Sequence, residues 1–90
     1  MQILAGTEQR LTFQDGAFEV SSDGDWVIKS LNYFQNQELV GSKGVDHVIG
    51  TLRYGLVTAP GATVDEFLAS PLPHLVHPLY QAIWAHTLGN

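Results

Sequence analysis

The stretch RLTFQDGAFEV, residues 10 to 20, decides the fold class. Its centre, Asp15-Gly16, is the pair favoured in a two-residue type I′ turn, which needs positive φ at both positions. The register then follows by counting. With Gln14 opposite Ala17, Phe13 faces Phe18 and Leu11 faces Val20, so these four apolar side chains share one face while Thr12 and Glu19 take the other. A hairpin over about residues 9–21 is therefore expected. An isolated hairpin is marginal in water, so its apolar face needs a cover, and the segments that follow offer helices.

The first of these is DWVIKSLNYFQNQEL, residues 25–39, where Val27, Leu31 and Phe34 fall on one helical stripe with Ile28 and Leu39 beside it. Ser22, Asp23 and Gly24 break the preceding strand and supply capping oxygens, and Gly41 stops the helix near its C′ position. The next stretch, GVDHVIGTLRYGLVTA, carries Val45, Val48, Ile49, Leu52 and Leu56 at the spacing that keeps one helix face dry, which predicts a helix over 45–58. Gly50 and Gly55 inside it each cost about 1 kcal/mol relative to alanine unless close packing offsets them. In PGATVDEF, Thr63 and Glu66 stand at capping-box spacing and open a short helix over 64–70. Pro78 then suits the first turn of a last helix over 78–88, with Leu79, Ala82, Ile83 and His86 on one face. The expectation is one α+β domain over residues 1–90, an N-terminal antiparallel hairpin packed on three to four short helices.

Composition limits the function. A chain of 90 residues buries only somewhat over ~60% of its unfolded surface, and with 14% charged residues it has few charges to cover the rest. An exposed apolar patch follows from that shortage, and such patches mark contact surfaces. A net charge of −5 and four scattered cations, Arg10, Lys29, Lys43 and Arg53, argue against nucleic acid and against an anionic membrane surface. The absence of cysteine rules out disulfides and thiolate metal sites. The amino terminus, MQILAGTEQR, lacks the basic n-region and apolar run of a signal peptide, so the expected place of action is the cytoplasm.

Catalytic and metal chemistry find little support. His74 and His77 are three residues apart, but Pro78 places them astride a helix start, and no set of three or four ligands is recognisable with Asp65, Glu66 or His86. His47 beside Asp46 near a helix start needs no catalytic role. No serine sits in a G-x-S-x-G elbow, GSKG at 41–44 lacks phosphate-loop spacing, and Glu66 is accounted for by its cap. Neither an enzyme nor a cofactor or metal ion is expected. The aromatic residues with polar handles, Trp26, Tyr33, Tyr54, Tyr80 and Trp84, are the candidates for a partner surface, with Tyr80 and Trp84 projecting together at i, i+4.

The half of the chain from about His47 onward resembles the tail assembly chaperones of long-tailed bacteriophages and related gene-transfer particles. The resemblance lies in the helix ending TLRYGLVTA, the loop PGATVDEFL with its threonine-capped acidic start, and the terminal apolar helix LYQAIWAHTL. It implies a non-enzymatic protein that binds a tape measure protein and shields its apolar helices until tail tube subunits replace it, with small homo-oligomers possible. The rival expectation is a phage-encoded inhibitor or adaptor that occludes a host defence complex. Its acidic patch, Asp15, Glu19, Asp23 and Asp25, would meet a basic groove on the target.

Overall fold

The computed structural model describes residues 8–89, so the first seven residues of the amino-terminal stretch read above lie outside the described residues. Strands β1 (Glu8–Gln14) and β2 (Ala17–Val20) form the expected hairpin in the expected register, with Leu11 opposite Val20 and Phe13 opposite Phe18. Asp15 at φ 53° and Gly16 at φ 82° make the turn. The fold is α+β, but the sheet has four strands in the order β2-β1-β3-β4, all antiparallel. Strand β3 (Trp26–Lys29) pairs with β1 on the side away from β2, and β4 (Leu56–Thr58) closes the far edge.

The two added strands correct the sequence reading. Residues 25–39 are not one helix: Trp26, Val27 and Ile28 are all buried in β3, and helix α1 is short, Tyr33–Val40. A short, continuous apolar run with β-branched residues suits a central strand, where both sides are paired. The true helix start is Asn32, whose side chain accepts from the Gln35 amide while the Gln35 side chain accepts from the Asn32 amide, a complete capping box. Ser22 and Asp23 therefore cap no helix. Gly24, just before β3, lies against β1 so closely that a Cβ there would run into the backbone of Leu11.

Helix α2 (Gly44–Gly55) ends three residues earlier than the pattern suggested, and Leu56-Val57-Thr58 becomes β4. At its end Gly55 gives room to Ile83, since an added Cβ would stand 2.5 Å from the Ile83 Cγ2 atom. Close packing is what that glycine provides. Helix α3 (Val64–Ala69) opens on the expected capping box, with the Glu66 amide bonded to Thr63 Oγ1 and the Thr63 amide to Glu66 Oε1. Helix α4 (Pro73–Leu88) begins five residues before the sequence reading had it, with Pro73 in the first turn and Pro78 inside. Pro78 lacks the amide that would reach the His74 carbonyl and its ring crowds that carbonyl, a cost that α4 carries inside its second turn.

The helices gather on one face of the sheet. Leu11, Phe13, Phe18, Trp26 and Ile28 point inward and join Leu52, Leu56, Phe67, Leu75, Leu79 and Ile83 in a single core. Trp26 lies at its aromatic centre, edge-on to Phe18 at 5.3 Å and to Phe67 at 5.8 Å. On the outer face Glu8 stands opposite Lys29 and Thr12 opposite Glu19, while Val27, opposite Arg10, is a buried apolar residue on that same face. Helix α4 packs on β2 and β3 and on α2, while α1 and α3 flank α2.

Candidate functional site

The stripe Val45, Val48, Ile49, Leu52 is continuous in sequence but not in burial. Leu52 is fully enclosed, Val48 and Ile49 are half-buried, and Val45 is 75% exposed. The dry face of α2 therefore runs off the core at its N-terminal end. There it forms one wall of an open apolar groove of about 430 Å³, with Val76 and His77 of α4 on the opposite side. Other large apolar side chains are exposed on α1 and at the start of α4, namely Phe34 at 78%, Tyr33, Val40 and Leu72. The groove lining contains no aspartate, glutamate, lysine or arginine.

Behind the groove α1, α2 and α4 are locked together by a polar cluster. His47 of α2 places Nδ1 2.8 Å from the Leu39 carbonyl and Nε2 2.7 Å from the Tyr80 hydroxyl. A carbonyl can only accept, so Nδ1 carries the proton and, in the neutral ring, Nε2 accepts from Tyr80. The Thr51 hydroxyl donates to the His47 carbonyl at 2.8 Å and accepts from Trp84 Nε1 at 3.1 Å. The Trp84 ring lies nearly parallel to the His47 ring. Both nitrogens of His47 thus have protein partners, and among the described residues every buried side-chain nitrogen or oxygen is paired. The cluster ties the three helices together through these hydrogen bonds.

The aromatic candidates separate in this setting. Tyr80 and Trp84 do project together, but toward α2, where both meet His47. Trp26 is buried in the core and is no part of a surface. Tyr54 is half-buried and donates to Glu38 Oε1 at 2.7 Å, and that hydrogen bond to a carboxylate pushes its phenol above the usual 10.0. Tyr33 alone is strongly exposed, stacked edge-on to Phe34 at 5.6 Å. The α2 side chains that line the groove, Val45, Val48 and Ile49, were read from sequence as a dry helix face, because periodicity shows which residues share a face and not how far the cover over that face extends.

The four acidic candidates, Asp15, Glu19, Asp23 and Asp25, are all exposed and are strung along β2, its turn and the loop beyond it. His74 and His77 both lie within α4 rather than astride its start: His74 is 6.1 Å from the Phe13 ring and His77 lines the groove. Among the described residues no three histidine, aspartate or glutamate side chains are placed to hold a metal ion. Among them, too, no helix is long and apolar enough to cross a membrane. Fold and surface together define a small α+β protein with helices on one face of an antiparallel sheet. Comparison with protein-family models, with curated proteins and with solved structures finds no match.

Proposed function

We propose that this chain is a non-enzymatic, cytoplasmic protein-binding module that receives an apolar helix of a partner protein in the groove between α2 and α4. The observation that carries this reading is Val45, the first residue of a core stripe left 75% exposed at the mouth of an uncharged groove. A helical occupant follows from the walls. Apart from the first-turn amides of α2 at Gly44 and Val45, the two helices bond their own backbones and offer an incoming segment few backbone partners, so the occupant has to satisfy most of its own. Binding of this kind is what a tail assembly chaperone does to the apolar helices of a tape measure protein, and the segment of resemblance includes the second half of α2 and most of α4.

The test uses the whole chain and a synthetic amphipathic helical peptide with a leucine face, followed by calorimetry. Saturable binding is expected, and Val45→Glu weakens it at least tenfold, because a charge would have to be buried at the mouth of the groove. If Val45→Glu binds as tightly as the parent while charge reversal at Asp23 and Asp25 removes binding, the contact lies on the acidic margin and the rival reading of an inhibitor or adaptor replaces this one.

A further inference from the structure

The β2 margin of the sheet is unfinished in a way the groove does not explain. In a two-residue hairpin the pair flanking the turn exchanges hydrogen bonds and the pairs then alternate, so Gln14 with Ala17 and Thr12 with Glu19 are bonded. The next bonded pair is Arg10 with Ser21, where the Ser21 amide reaches the Arg10 carbonyl at 3.1 Å. Phe18 and Val20 belong to the intervening pairs, so their N–H and C=O groups point away from β1. Among the described residues β2 is the outermost strand, so those groups form an edge that no described strand pairs.

The side chains of the same two residues point inward, toward α4. Yet Val20 is 69% exposed, and α4 faces it with two small residues, Ala82 and Ala85, and with His86. Two depressions of about 270 Å³ each remain between β2 and α4, and both are bordered by Phe18, Ala82 and Ala85. The sheet therefore extends past its helical cover, with open backbone groups beside two depressions, of which the one at Val20 also has Gln9 and His86 in its lining.

We propose that β2 is a strand-addition site for an extended segment of a partner protein that reads apolar, basic, apolar. Residues bonded opposite Phe18 and Val20 share their face, so their side chains enter the two depressions. The residue between them stands opposite Glu19 on the outer face, where a lysine or arginine makes a cross-strand ion pair. Arg10, the diagonal neighbour of Glu19, has a guanidinium nitrogen donating to the Gly24 carbonyl at 3.1 Å. Asp15 before β2 and Asp23 and Asp25 after it extend the preference for a basic segment. The same charge disfavours a second copy of this chain. Antiparallel pairing of two β2 strands with the fullest overlap sets Glu19 directly against Glu19, and like charges in that position repel.

This inference is independent of the α2–α4 groove. Its probe is a short synthetic peptide of alternating valine and lysine, with a control in which glutamate replaces lysine, added to the whole chain and followed by amide hydrogen exchange in NMR. The Phe18 and Val20 amides are expected to exchange fast in the free protein and to become protected by the lysine peptide only. Val20→Pro removes a donor from that edge without touching the β1–β2 ladder, so the fold is retained and peptide binding falls roughly tenfold. Ala85→Leu, which fills the depressions from an exposed helix position, weakens it as well, and Glu19→Lys reverses the preference between the two peptides. The proposal is overturned if neither peptide binds, if Val20→Pro binds as well as the parent, or if the two amides become protected with rising protein concentration alone, which would make the occupant a second copy.

Discussion

Thr51 is the one polar side chain fully buried among the described residues, and its hydroxyl spends both of its roles inside the fold. It donates to its own helix at the His47 carbonyl and accepts from Trp84 across the interface with α4. Thr51→Val keeps the shape but orphans the Trp84 indole N–H, so a loss of about 1–3 kcal/mol is expected in denaturant unfolding, and an unchanged midpoint would show the bond to be idle. Tyr54 makes a different prediction. Its folded value is raised by the bond to Glu38, so the stability it contributes is fully present below the ordinary 10.0 and is lost as pH rises through the raised value. Phenolate absorbance should show Tyr54 titrating above its ordinary value, and Glu38→Gln should lower it. Neither pairing was legible in the sequence, since His47, Tyr80, Thr51 and Trp84 meet only once α4 has returned across α2.

At the scale of elements, local chemistry was legible wherever a short-range signal fixed it. The Asp15-Gly16 turn set the hairpin register residue for residue, and the Thr63 box set the start of α3. The stretch 25–39 misled because Val27, Leu31 and Phe34 fit a helical stripe, although Val27 sits in β3 and Phe34 lies exposed on α1. Pairing with β1 decided that segment, and pairing is a long-range property. The signal that would have corrected it was Asn32 with Gln35, a capping box in the middle of the presumed helix. Asn32→Ala should therefore cost about 1 kcal/mol of stability, whereas Ser22→Ala, at the cap read from sequence, should cost far less. Equal losses would restore the longer helix. The β2 edge was within reach of sequence arithmetic too, since the hairpin register already assigns the outward amides to Phe18 and Val20.

Among the described residues, apolar surface is left without cover on both sides of the helical layer. On one, α2 carries its apolar stripe beyond the core into the α2–α4 groove, and on the other, β2 extends beyond the small residues of α4. The shortage of charge in the composition anticipated exposed apolar surface, but it did not locate it, because the aromatic residues that seemed free are mostly committed to internal bonds. The exposed surface is aliphatic instead, with Phe34 and Tyr33 as its aromatic members. The groove is proposed to take a helix and the β2 edge a strand, and a variant at Val45 is expected to leave the β2 peptide bound. The most direct measurement is calorimetric titration of the whole chain with the leucine-faced helical peptide, alongside Val45→Glu. Saturable one-to-one binding that this substitution removes, with the unfolding midpoint unchanged, is the expected result. Absent binding, or equal binding by both proteins, would contradict the groove as the site of partner recognition.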